Sequence, residues 1–103
     1  MLPDSRYDEL PVVESEEKTE EPPLFKVLLH NDDYTTMDFV VQVLESVFNM
    51  IEDQAIQVML SVHLGGVGVA GIYTFEVAEM KVARTTAMAR ENEFPLLCTI
   101  EKA

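Results

Sequence analysis

Residues 31 to 38 read Asn31-Asp32-Asp33-Tyr34-Thr35-Thr36-Met37-Asp38. An amide and two adjacent carboxylates have no place in an apolar core without partners, and a simple turn rarely needs all three. Each is an acceptor: the Asn offers an amide oxygen, the aspartates offer charged oxygens, and a histidine such as His63 adds a ring lone pair when neutral. Groups of this kind hold cations or amines. They also admit two other chemistries. One is hydrolysis using Asp32 and His63; the other is a metal site built from His30, His63 and the two aspartates. Hydrolysis needs a nucleophile, a base and an orienting group, and no such set is apparent: Cys98 falls in an apolar strand pattern and Ser61 within a helical one. Each residue also has a plainer use. A helix-end histidine serves as a charge partner or packs in the core, and Asp32-Asp33 serves as a capping turn.

The elements on either side decide what these residues can reach. Leu24-Phe25-Lys26-Val27-Leu28-Leu29-His30 reads as a strand. Met37, Val40, Val41, Leu44, Val47 and Phe48 follow helical spacing, with Thr35 and Asp38 as a capping pair and Thr36 at the first helical position. The acidic segment therefore occupies a strand-to-helix connection, where a rigid scaffold presents side chains to a ligand. A second helix is predicted from about Glu52 to His63, with Ala55, Ile56, Met59, Leu60 and His63 on one face. All four glycines follow, at 65, 66, 68 and 71, and read as a helix stop and then a strand. Thr74 caps a third helix with Phe75, Ala78, Val82, Thr85 and Ala89 along one stripe, ending near Asn92. Leu96 to Glu101 makes the last strand. The expectation is an α+β domain, order β-α-α-β-α-β, with a small antiparallel sheet packed with three helices.

Gly66-Val67-Gly68-Val69-Ala70-Gly71 matches G-x-G-x-x-G literally. Nucleotide binding by that motif needs a strand before it and a helix after it. Here the order is reversed, so the glycines are read as a helix C-cap and a strand with bulges or close packing.

At 103 residues the chain is one small domain. Hydrophobic residues make up 48% of it, enough for a core, and its single cysteine cannot form an internal disulfide, which fits a reducing compartment. No apolar run approaches a membrane span, and no secretory leader is evident, so a cytoplasmic protein is expected. The formal net charge of −12 argues against nucleic-acid partners. Residues 1–23 hold Asp4, Asp8, Glu9, Glu14, Glu16, Glu17, Glu20 and Glu21 with no amphipathic period. They are expected to form a flexible acidic N-terminal extension to a core domain of residues 24–103.

The segment Asn31 to Val40 resembles the signature of ClpS, the bacterial adaptor that delivers N-degron substrates to the Clp AAA+ protease. Three further blocks agree in order and spacing: Met59-Leu60-Ser61-Val62-His63, Ala78 to Ala83, and Ala89 to Thr99. The resemblance spans roughly residues 24 to 103. It departs from the family at Thr36, commonly Pro, and at His30, usually apolar. It implies a non-catalytic adaptor without cofactor or metal. Asn31, Asp32 and His63 would hold the α-amino group of a substrate; Met37, Val40, Met59 and Leu96, with Thr35 at the rim, would receive its first side chain: Leu, Phe, Tyr or Trp. Tyr34, Glu76 and Lys81 match positions that contact the N-terminal domain of the Clp unfoldase (ClpA-like), and the extension would be engaged by that unfoldase during delivery. The chemistry agrees with such a ligand, because an α-ammonium offers three donors and a positive charge. A ribosomal stalk-like interaction module shares the related fold and is the remaining competitor; it has no reason to carry the Asn-Asp and His set.

Overall fold

Three strands alternate their side chains between a helix-covered side and an open side, and that alternation organises the molecule. The computed structural model describes residues 21–103, so the expected extension lies, except for residues 21–23, outside the described residues. The elements are β1 (Leu24–His30), α1 (Met37–Ser46), α2 (Glu52–Gly65), β2 (Val67–Thr74), α3 (Phe75–Glu91) and β3 (Leu97–Lys102). The sheet order is β2-β1-β3, with both neighbours antiparallel to β1. This is the expected α+β domain in the expected order.

On the covered side Val27 and Leu29 are completely buried, and Ala70 and Cys98 from the flanking strands lie beside them. Val43, Leu44 and Val47 of α1 and its end, Ala55, Met59 and Val62 of α2, and Ala78 and Ala89 of α3 close the core. Each fully buried Val or Leu contributes roughly 1.5–3 kcal/mol over its exposed state. On the other side Val67, Val69, Ile72 and Leu97 are exposed. One covered and one solvated face is the ordinary arrangement of an antiparallel sheet.

Local chemistry sets the boundaries. The helix start differs from expectation by one residue: Thr36 is the N-cap of α1, and its hydroxyl accepts from the Phe39 N–H at 3.1 Å. Thr35 cannot serve because Asp32 already holds its N–H and its hydroxyl. Gly66 ends α2 with φ +92°, a left-handed conformation costly for any residue with a Cβ. Register between β1 and β2 shifts at Ala70, where Val27 pairs with Gly71 and Leu28 with Val69. A Cβ on Gly68 would stand 2.7 Å from a Val62 methyl, so glycine there lets β2 approach α2. The literal G-x-G-x-x-G is thus a helix stop and a closely packed strand.

Two helix faces also differ from the periodicity reading. On α2 the buried stripe is Ala55, Met59 and Val62, whereas Ile56 and Leu60 are exposed. On α3 the buried residues are Ala78, Thr85 and Ala89, while Phe75 is exposed and meets Phe25 edge-on at 5.1 Å. Small residues on that face let α3 lie close to the sheet.

Candidate functional site

The connection from β1 to α1 is built around one carboxylate. Asp32 Oδ1 accepts from the Tyr34 and Thr35 N–H groups at 2.8 and 2.7 Å, and Oδ2 accepts from the Thr35 hydroxyl at 2.8 Å. Partial burial pushes the Asp32 carboxyl up; the three hydrogen bonds, from the Thr35 and Tyr34 amides and the Thr35 hydroxyl, outweigh it and hold it below the usual carboxylate value. Asp32 is therefore an anion that shapes its own loop. Its two oxygens have about four lone-pair sites, so three local donors leave room for an incoming one.

A backbone bond places this loop beside α2. The Asn31 N–H donates to the Gly66 carbonyl at 2.9 Å, directly after His30 pairs with Val67. The end of β1 is thereby fastened to the end of α2, which carries His63 in its last turn. Cations are favoured near a helix C-terminus, where carbonyls lack intrahelical donors.

The loop, the first turn of α1 and one side of α2 enclose an open cavity of about 480 Å³. Asn31, Asp32, Asp33 and His63 supply its polar edge; Met37, Val40, Met59 and Val62 supply its apolar wall, with Tyr34, Thr35 and Thr36 completing it. Val40, Met59 and Val62 are buried, whereas Met37 is 47% exposed and stands at the mouth. The wall fits an apolar side chain, and two of its members are methionines, whose flexible thioethers adapt to different shapes.

Of the residues singled out from sequence, Asn31, Asp32, His63, Thr35, Met37, Val40 and Met59 converge here. Tyr34 joins them, 76% exposed. Leu96 does not line this cavity. It is buried, and it lines a second, smaller depression of about 280 Å³ together with Phe94, Pro95, Arg90 and Cys98, at the end of α3. Val62 lines the wall without a sequence signal of its own: it sits one turn from Met59 and beside His63, on a side of α2 that the periodicity leaves out of the apolar face.

Glu76 is exposed in the first turn of α3, where an acid suits the helix dipole. Lys81 is half-buried, and its ammonium donates to the Val47 carbonyl at 2.7 Å while lying 5.9 and 5.6 Å from the Phe48 and Tyr73 ring centres. It caps the end of α1 from α3. His30 is also engaged: its Nε2 lies 2.8 Å from the Thr99 hydroxyl. Among the described residues no group of three or more His, Cys, Asp or Glu is placed to hold a metal. Burial pushes the Cys98 thiol up to about 11, and the nearby Thr85 hydroxyl, buried without a hydrogen-bond partner of its own, offsets this only in part. A thiol so protonated is a poor nucleophile. No helix among the described residues is long and apolar enough to cross a membrane.

Comparison with known proteins points to one family. The family described as ATP-dependent Clp protease adaptor protein ClpS matches residues 20–99. The ClpS adapter of Desulfatibacillum aliphaticivorans is 55% identical over 102 residues, 98% of each chain. That of Oleidesulfovibrio alaskensis is 58% identical over 87 residues, 84% of each chain. Among solved structures, Agrobacterium tumefaciens ClpS2 bound to L-phenylalaninamide is 41% identical with a TM-score of 0.78, covering 81% of this chain and 100% of its own.

Proposed function

This chain belongs to the ClpS family of ATP-dependent Clp protease adaptor proteins, and we propose that it recognises substrates by a free N-terminal residue with a bulky hydrophobic side chain. As an adaptor of the Clp protease it is not itself an enzyme. The observation that carries the reading is the meeting of Asn31, Asp32 and His63 with the apolar wall of Met37, Val40, Met59 and Val62 in one open cavity. Acceptors at the edge suit an α-ammonium, and the wall suits Leu, Phe, Tyr or Trp. L-phenylalaninamide, bound by the Agrobacterium relative, has a free α-amine and an amide in place of the carboxylate, as does the first residue of a protein beginning with Phe.

In this reading Asp32 is the fixed negative charge. Asn31 and His63 direct the ammonium N–H groups, and the wall excludes water from the first side chain. Burying a Leu or Phe supplies roughly 1.5–3 kcal/mol, and charge-assisted hydrogen bonds at the amine add orientation. Delivery then needs a second surface. Exposed Tyr34 and Glu76 are proposed to meet the N-terminal domain of a ClpA-like unfoldase in the cytoplasm. Lys81 would support that surface from within, since its ammonium already binds the end of α1.

Amide and methyl NMR of the labelled protein, titrated with L-phenylalaninamide, tests the site. Shifts should concentrate at Asn31, Thr35, Val40, Met59 and His63. Saturable shifts centred on Phe94 to Cys98 instead would refute it.

A further inference from the structure

On α2 the buried stripe leaves a second apolar row uncovered: Ile56 is 37%, Leu60 41% and Leu64 79% exposed. These residues recur every four positions, one above another on the same helix face. The row adjoins the cavity. At about 100° per residue, Ile56 lies only some 20° around the helix from His63, and Leu60 and Leu64 follow in roughly 40° steps. Met59 and His63 line the cavity, so the apolar surface runs from its wall, past His63, onto the solvent side of α2.

We propose that this row receives apolar side chains of the substrate just beyond its N-terminal residue. The inference rests on the N-terminal reading above and extends it from one residue to a short segment. A polypeptide held by its α-amine must leave the cavity over a rim, and α2 is the rim with apolar side chains in line. Its geometry matches an extended chain. Residues four apart on a helix are about 6 Å apart along the axis, and alternate side chains of an extended peptide are about 6.4–6.8 Å apart. Two alternate substrate side chains therefore meet two successive members of the row. Charge limits the occupant as well. Residues 27 to 80 contain no Lys or Arg, and Glu52 and Asp53 open α2. The segment accepted is apolar with neutral or basic neighbours.

The test compares two fluorescent peptides that begin with free Leu, one with Leu and Val at positions two to five and one with Ser and Gly there. L-phenylalaninamide, too short to reach the row, is the control. The apolar peptide should bind about fivefold to tenfold tighter than the polar one. A Leu60→Gln/Leu64→Gln double variant should lose that advantage while binding L-phenylalaninamide as the parent does. If both peptides bind the parent equally, or the advantage survives in the variant, the row is not a substrate surface. Failure of L-phenylalaninamide to bind the parent would instead remove the N-terminal reading and this inference with it. Sedimentation gives one more outcome: a parent dimer abolished by the double variant would assign the row to a second copy and overturn the proposal.

Discussion

Two depressions among the described residues have similar make-up and different promise. One lies between the β1–α1 loop and α2, the other at the end of α3. Both have apolar walls, and both contain a residue singled out for the same pocket. The first gathers an amide, carboxylates and an imidazole at its edge. The second offers the exposed Arg90 and a protonated thiol. An apolar wall alone attracts many side chains weakly; acceptors held at its edge select which molecule presents the side chain and from which end. Asp32 anchors that edge: it folds its own loop with three hydrogen bonds and remains charged.

The sharpest way to break this contrast is Asp32→Ala. It removes the negative charge and frees the Thr35 hydroxyl and two amides, so affinity for a peptide beginning with Leu should fall about a hundredfold in a fluorescence titration. A loss under threefold would mean the loop neither needs nor presents that charge. Next in size is Met37→Ala, which widens the mouth. N-terminal Ile and Val should gain about tenfold relative to the parent if Met37 excludes side chains branched at Cβ. No gain would show that it does not.

A smaller effect belongs to His63. In the proposed reading its ring accepts one ammonium N–H, so His63→Ala should weaken the Leu peptide about threefold to tenfold. A loss under about twofold would take His63 out of the clamp. Asp32, held below the usual carboxylate value, stays charged as pH falls from about 7.5 to 5.5, so the Tyr34 and Thr35 amide signals that report its hydrogen bonds should stay in place over that range. Movement of both would show the carboxylate taking up a proton there. The smallest effects belong to the second depression. Arg90→Ala should change affinity by less than about twofold. Cys98, titrating near 11, should resist a thiol reagent at pH 7.5 while the protein is folded. Rapid labelling, or a binding loss with Arg90→Ala, would give that depression a function.

How much of this was legible in the sequence follows from how local each feature is. β1, the glycine-marked end of α2 and the element order depend on short-range patterns, and the structure repeats them. The Asn31-Asp32 connection was legible because acceptors are out of place in a core. The start of α1 was displaced by one residue because Asp32 engages Thr35, a side-chain competition that spacing does not reveal. The buried face of α2 departs from the periodicity for a different reason. Val58, Met59, Leu60, Val62 and Leu64 put apolar residues on more than one side, and only packing on Gly68 and the core decides that Val62 goes in and Leu60 stays out. Lys81 turns inward through a bond to Val47 across 34 residues of sequence, which no window contains, and Leu96 lies in the other depression among residues 86–98 at the end of α3.

The most direct test of the central claim compares three fluorescent peptides, beginning with free Leu, acetylated Leu and free Met. Tight binding of the free Leu peptide alone is predicted, because acetylation removes the ammonium and Met is outside the proposed set. Equal binding of the free and acetylated Leu peptides, or no binding of either, would contradict recognition of the amine at Asn31, Asp32 and His63.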